Sequence, residues 1–269
     1  MKILFLGDLV GKPGFTAAVK KVPALRKELS LDAVVVNAEN AADGSGLTPR
    51  QFQRLTDAGV DAITMGDHIY KNKDIIEVLA KSSRIVKPAN YPLDSPGRCW
   101  TIVDTEAGPL VVISIMGRVF MRPVDCPFDA LDRVLAEVSA DDRFQGTATG
   151  GPPPILVDVH AEATSDKQVL GRYLDGKVTA VLGTHTHVPT ADATVLPGGT
   201  AFQCDVGMCG PYESIIGRDI SRVMSTSRTF EPTHFYVATQ DVRLCGAIVE
   251  SNDRGGASSI IRFECKIRP

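Results

Sequence analysis

The chain carries no basic block. Its 29 lysines and arginines stand against 32 aspartates and glutamates, for a formal net charge of −3 and a pI near 6.0. That balance excludes a duplex nucleic-acid or membrane-surface binder held by bulk charge. A small phosphate ligand stays open, because a bound metal adds local positive charge that net charge does not show. There is no long apolar run either. Met1-Lys2-Ile3-Leu4-Phe5-Leu6 stops at Gly7-Asp8, too short for a signal peptide or a membrane span. The expectation is a cytoplasmic protein with no membrane partner. None of the six cysteines forms a CxxC pair, so reduced, buried thiols suit them better than a disulfide framework. Gly7, Gly11 and Gly14 miss the GxGxxG spacing of a dinucleotide-binding turn. Internal repeats, low-complexity segments and clear domain boundaries are lacking. With 269 residues, 43% of them hydrophobic, the chain is long enough to bury a full core, and a single domain over residues 1–269 is expected.

What is present is an alternation of short apolar strands and amphipathic helices, the pattern of an α/β fold. Residues 2–6 read as a strand buried on both faces, ended by Gly7-Asp8. A helix over 15–29 follows, with Phe15, Ala18, Val19, Val22, Leu25 and Leu29 at helical spacing. Ala33-Val34-Val35-Val36 is a second strand, ended by Asn37-Ala38-Glu39-Asn40. After a helix over 49–58, Ala62-Ile63-Thr64-Met65 is a third, ended by Gly66-Asp67-His68. Ligands bind at such strand ends in open α/β sheets. Asp8 alone is equally well explained as a cap on the next helix. Three consecutive strand ends with ligand-type side chains are not explained by capping.

Further along, 72–81 reads as a helix. Apolar runs at 99–103 and 110–115 make an antiparallel hairpin, so the order departs from pure βαβ. A helix over 128–138 leads to a Gly/Thr/Pro-rich surface loop from Gln145 to Pro154. Ile155-Leu156-Val157-Asp158-Val159 is another buried strand, ended by His160, with Ser165 as N-cap of a helix over 166–174. Val178–Leu182 is a strand ended by Gly183-Thr184-His185-Thr186-His187. A hairpin over 193–203 and strands at 235–249 and 258–264 close the chain. In extended backbone the i and i+2 side chains share a side, so the His185 and His187 rings should face one cleft.

Collected, the strand-end groups are Asp8, Glu39, Asn40, Asp67, His68, His160, His185 and His187. Oxygen and imidazole donors without thiolates suit Mn²⁺, Fe²⁺ or Zn²⁺ rather than Cu⁺ or an iron–sulfur cluster. So many candidates exceed one tetrahedral site and fit two ions bridged by a carboxylate. Such a pair, about 3.5–4 Å apart, clamps a phosphoryl oxygen and makes hydroxide available at neutral pH. A histidine outside the metal shell can protonate the departing oxygen. Asp205, Arg118 and Asn90 read as supporting or structural residues. His234, outside every motif, reads as structural.

Gly7-Asp8, Gly66-Asp67-His68, a solitary histidine after a strand, and Gly183-Thr184-His185-Thr186-His187 resemble the blocks of the calcineurin-like metallophosphoesterases. The superfamily's metal-binding histidine two residues after the first aspartate is Val10 here. Its bridging aspartate is replaced by Glu39, followed by Asn40, and Asp67 stands where asparagine is common. Those departures resemble the YmdB-like branch. So do Pro88-Ala89-Asn90-Tyr91-Pro92, Met116-Gly117-Arg118-Val119-Phe120, the segment from Asp158 to Ser165 and that from Asp205 to Tyr212.

The resemblance covers nearly the whole chain. It implies a four-layer α/β/β/α sandwich and a centre of two divalent metal ions, iron or manganese ahead of zinc or magnesium. It further implies phosphodiesterase activity on a cyclic nucleotide, 2′,3′ or 3′,5′, through metal-bound hydroxide. By position it places Asp8, Glu39, Asn40 and His187 on one ion, and Glu39, Asp67, His160 and His185 on the other. His68 becomes the general acid. The extra carboxylate of Asp67 should tighten metal binding and lower Lewis acidity. Two other readings stand beside this one. The first is a regulatory nucleotide or partner sensor with weak turnover, motivated by the histidine missing at Val10. The second is a phosphomonoesterase. No stable duplex nucleic-acid partner is expected, and a homo-oligomer rests on general frequency alone.

Overall fold

Two sheets organise the chain in the computed structural model, which describes residues 1–144 and 152–268. Most of the loop expected from Gln145 to Pro154 lies outside the described residues. The first half alternates strictly: β1 (Lys2–Leu6), α1 (Gly11–Glu28), β2 (Ala33–Asn37), α2 (Pro49–Asp57), β3 (Ala62–Thr64), α3 (Ile75–Lys81) and β4 (Ile85–Val86). The four strands pair in parallel. The expected hairpin follows as β5 (Trp100–Thr105) and β6 (Gly108–Met116). Then come α4 (Pro127–Ala140), β7 (Ile155–His160), α5 (Thr164–Tyr173) and β8 (Ala180–Thr184), with β6, β7 and β8 parallel. The chain closes with β9 (Thr194–Val195), β10 (Ala201–Gln203), β11 (Gly210–Pro211), α6 (Ile220–Thr229), β12 (Val242–Ser251) and β13 (Ala257–Lys266).

The first sheet has the order β11-β12-β1-β2-β3-β4, with β13 also paired to β12; the second runs β5-β6-β7-β8-β10-β9. Side chains alternate along each strand, and both faces of both sheets are apolar. Leu4, Leu6, Val34, Val36 and Ile63 pack under α1, α2 and α3. Ile3, Phe5, Ala33, Val35 and Ala62 face Leu110, Val112, Leu156, Ala180 and Leu182 of the other sheet. Ile113, Val157, Val159, Val181 and Phe202 pack under α4 and α5. Three separate cores define four layers, the α/β/β/α sandwich expected. Each fully buried Leu, Ile or Val side chain contributes about 1.5–3 kcal/mol.

Several boundaries move for local reasons. α1 starts at Gly11 rather than near Phe15, because the Gly11 N–H finds the Asn40 carbonyl at 2.8 Å and needs no side-chain cap. α5 starts at Thr164, so Ser165 lies inside its first turn and makes no cap. Residues 235–241 are not strand; β12 begins at Val242. The chain leaves the sheet after β11 and forms α6 on the way back. That helix buries none of its residues, although Ile220, Val223 and Met224 stand at helical spacing.

Candidate metal centre

The parallel strands of both sheets end at one pole. There the first sheet delivers mainly carboxylates. Asp8 follows β1 by two residues and is fully buried. It does not cap α1, whose N-cap residue Val10 makes no side-chain bond. Asp8 Oδ2 instead accepts from the His185 backbone N–H at 3.0 Å, and Oδ1 from Asn40 Nδ2 at 3.4 Å. Burial works to raise its carboxyl, but His187, His160 and that N–H outweigh burial and hold it below the ordinary value. Glu39, also fully buried, follows β2. Its Oε1 lies 3.2 Å from His160 Nε2 and 3.3 Å from His68 Nδ1, and accepts from Asn40 Nδ2 at 3.2 Å. Its Oε2 accepts from the His68 backbone N–H at 3.0 Å. After β3, Gly66 lies flat on the His160 ring, where any Cβ would overlap it. That contact brings Asp67 Oδ1 to 3.2 Å from His160 Nε2 and 3.6 Å from His185 Nδ1. Burial again works upward on Asp67, and the His160 hydrogen bond with the surrounding imidazoles overrides it, leaving the carboxyl well below its usual range.

The second sheet delivers imidazoles. His160 closes β7, fully buried, and its Nε2 meets Glu39, Asp67 and His185 Nδ1, the last at 3.0 Å. Burial opposes its charge, but the Glu39 and Asp67 carboxylates dominate and raise its pKa well above the ordinary value. For His185 the balance is reversed: burial and the neighbouring His160 lower it. The His160 and His185 rings meet edge to face, 4.7 Å between centroids.

The pair His185 and His187 reaches the cleft, though not by extended backbone. Both residues have left-handed φ, +90° and +67°, a conformation that costs a non-glycine residue about 1–3 kcal/mol and persists only where the surroundings enforce it. The enforcement is visible at Thr186 between them. Its N–H and hydroxyl both donate to Asp205 Oδ2, at 3.1 and 2.6 Å. The same oxygen pairs with Lys167 Nζ at 2.9 Å, and Nζ also reaches Thr186 Oγ1 at 2.9 Å. Both members of this ion pair are about 1% exposed.

Glu39, Asp67, His160 and His185 each offer one ligand atom within 4.8 Å of all the others. Beside them, His187 Nε2 lies 3.9 Å from Asp8 Oδ1 and 3.4 Å from Asn40 Nδ2. Each imidazole has its far nitrogen engaged. His187 Nδ1 meets the Ile216 carbonyl at 3.0 Å, His185 Nε2 meets Glu162 Oε2 at 3.1 Å, and His160 Nδ1 meets Thr184 Oγ1 at 2.9 Å. The carbonyl and the carboxylate can only accept, so His187 and His185 turn an inner nitrogen with a free lone pair to the pole. Convergent carboxylates and bare imidazole nitrogens without a thiolate fit hard to borderline divalent cations. Asn40 fits this set less directly. It turns Nδ2 to Asp8, Glu39 and His187, and its Oδ1 meets His68 Nδ1 at 2.7 Å. His68 is partly exposed at the rim, with Nε2 3.7 Å from Asp67 Oδ2.

Other singled-out residues play supporting parts. Asn90 binds the Met116 backbone and the Asp125 carbonyl. The backbone N–H of Arg118 donates to Asp166. His234 is exposed and meets only the Tyr236 ring among the described ring contacts. Val10 is 1% exposed, and side chains at Gly210 or Gly217 would run into it, so the position belongs to the core and has no space for an imidazole. Two supporting residues escape a motif-based reading, although a signal exists for each. Lys167 is a charge on the buried stripe of α5 with Leu170 and Gly171. Asp158 is a charge within the apolar run of β7, and burial outweighs its hydrogen bonds to push its carboxyl up to about 6.

The chain matches known proteins along nearly its full length. A profile of the YmdB-like protein family matches residues 4–263. A 2′,3′-cyclic-nucleotide 2′-phosphodiesterase of Bacillus subtilis (strain 168) is 41% identical over 254 residues, covering 94% of this chain and 92% of that protein. Among solved structures, a hypothetical protein from Thermus thermophilus superposes with a TM-score of 0.88 at 39% identity, covering 99% of both chains. A phosphatase from Mycoplasma pneumoniae gives the same TM-score at 29% identity, covering 99% of this chain and 93% of the other.

Proposed function

The chain belongs to the YmdB-like family, and from that membership we propose that it hydrolyses a cyclic-nucleotide phosphodiester with two divalent metal ions. It is a hydrolase of phosphoric esters; the 2′,3′-cyclic substrate, the ion pair and the proton donor are the finer parts of the proposal. One observation carries it: carboxylates from the first sheet and imidazoles from the second converge at one pole, with Glu39 touching both groups. Glu39, Asp67, His160 and His185 would hold one ion, and Asp8, Glu39 and His187 the other. As oriented, Asn40 gives its carbonyl oxygen to His68 Nδ1 and its NH₂ to Asp8, Glu39 and His187, so it supports the second set by hydrogen bonds. When bound, the ions supply positive charge to the phosphoryl group and lower the pKa of water. Iron or manganese suits these donors, with zinc or magnesium as alternatives.

The chain's own residues then have defined tasks. Asp8 and Glu39 are buried and acceptor-only when ionised, so they hold the imidazoles in place while keeping the pole anionic without a cation. His68 sits at the rim with its side chain 28% exposed, where a ribose oxygen can reach it. Its Nδ1–H is held by the Asn40 carbonyl oxygen, so the proton available for transfer is the one on Nε2. Delivery of that proton to the leaving 2′-oxygen leaves a neutral ring still anchored through Nδ1. No helix among the described residues is long and apolar enough to cross a membrane. All six cysteines are free, which agrees with the proposed cytoplasmic location.

Asp8→Ala assayed on a chromogenic phosphodiester with added Mn²⁺ tests the assignment. Activity should fall to background, and a wild-type rate would sink it. A panel of 2′,3′-cyclic, 3′,5′-cyclic and monoester substrates assigns the bond, and metal analysis of anaerobically purified protein identifies the ions.

A further inference from the structure

Beneath the imidazole wall lies a buried carboxylate that none of the tasks above uses. Asp158 is fully buried in β7, and three donors converge on it. Asn37 Nδ2 and Thr64 Oγ1 reach Oδ2 at 2.9 and 2.6 Å, and Thr184 Oγ1 reaches Oδ1 at 2.6 Å. Asn37 can only donate here. Its Oδ1 is taken by the Glu39 backbone N–H at 3.2 Å, so its NH₂ must face Asp158.

We infer that Asp158 is a positioning residue that sets the tautomer of His160 through the hydroxyl of Thr184. The step is an inventory of protons. A threonine hydroxyl has one proton and two lone pairs. Thr184 Oγ1 has two partners, Asp158 Oδ1 and His160 Nδ1. Its single proton goes to the carboxylate, so towards His160 it can only accept. Asn37 Nδ2, committed to Asp158 at 2.9 Å, stands 3.5 Å from His160 Nδ1, at the outer limit of a hydrogen bond. With a cation at the pole, His160 therefore keeps its proton on Nδ1 and turns the Nε2 lone pair towards Glu39, Asp67 and His185. The other two imidazoles need no such device. His187 is backed by a carbonyl and His185 by a carboxylate, both acceptors without ambiguity. Only His160 is backed by a hydroxyl, which donates as readily as it accepts until a third group decides. Asp158 is that group. The inference rests on the reading of His160 as a metal ligand.

The test is Asp158→Asn in the full-length protein. The replacement amide is nearly isosteric. Asn37 and Thr64 would take its oxygen at the Oδ2 position, leaving its NH₂ towards Thr184. Thr184 would then accept from that amide and turn its proton to His160 Nδ1. Affinity for Zn²⁺ and Mn²⁺, measured by competition with a fluorescent chelator, should fall about 10–100-fold, the range for loss of a partner behind a metal ligand. In Zn²⁺-loaded wild type, long-range ¹H–¹⁵N spectra should show His160 as the Nδ1–H form, and that signature should weaken or vanish in D158N. Thr184→Val, which keeps the shape and removes the relay, should lose affinity alike. Thr184→Ser, which keeps the hydroxyl, should restore it. The valine–serine pair decides the matter even if D158N does not fold. Wild-type protein that binds neither metal overturns the metal reading itself. Wild-type affinity in a folded D158N or T184V overturns this inference and leaves the metal reading intact.

Discussion

The two sheets meet at one pole but support their side chains in opposite ways. On the first sheet, Asp8, Glu39 and Asp67 stand on short loops directly after strands, and backbone N–H groups of His185 and His68 bind two of them. Little else is needed, because a carboxylate accepts from almost any direction. On the second sheet, each imidazole must present one particular nitrogen. The protein meets that demand with a buried layer of its own: Asp158 and Thr184 behind His160, and Lys167 and Asp205 behind Thr186 in a left-handed loop. Acidic ligands are easy to position and basic ones are not, since direction matters for a ring and hardly for a carboxylate. The charges also depend on each other. The Asp8 and Asp67 carboxyls are held below their ordinary values by the imidazoles, and the His160 ring is held above its own by neighbouring carboxylates.

The sharpest way to break this arrangement is at Glu39, which meets His160 on one side and His68 and Asn40 on the other. Glu39→Gln should lower phosphodiester turnover by roughly 10³-fold or more, the scale expected when a charge at a preorganised site is removed. Steady-state kinetics at saturating metal would show it. Next is the support of the imidazole wall alone. Lys167→Met leaves Asp205 buried without its partner, which should cost about 3–5 kcal/mol of stability, read by urea denaturation, while the matching carboxylates stay in place. Smaller in energy is His68→Ala. It should slow esters with alkoxide-like leaving groups about 10²-fold, near 2.7 kcal/mol at about 1.36 kcal/mol per decade. A nitrophenolate ester, which needs no proton, should be nearly spared. Equal losses on both substrates would remove His68 from the acid role. The smallest is Val10→His, which restores the histidine common in the wider superfamily. Overpacking against Gly210 and Gly217 should destabilise by about 1–3 kcal/mol without tightening metal binding, measured by melting and chelator competition. A gain in affinity would show that the core can open to admit a ligand there.

Much of the site was legible because its residues repeat one placement. Asp8, Glu39, Asp67, His160 and His185 all follow apolar strands, and parallel strands bring their ends together. The Glu162 partner of His185 and the Ile216 carbonyl behind His187 were not legible, since each depends on a loop conformation without a sequence period. The α6 excursion escaped although Ile220, Val223 and Met224 stand at helical spacing, because the apolar stretch is only about one turn long and packs into no core. The extended reading of the two-histidine loop failed because Lys167 and Asp205, far off in sequence, bend it.

By itself the sequence determined the alternation of strands and helices, the poles at which polar groups emerge and the chemical kind of each group. These follow from local periodicity and from the identity of residues after each strand. Only the tertiary structure decided which nitrogen each histidine presents, which way the Asn40 amide points and that Val10 is core. Those facts depend on neighbours dozens to hundreds of residues away, brought within about 3 Å by the packing of one sheet on the other.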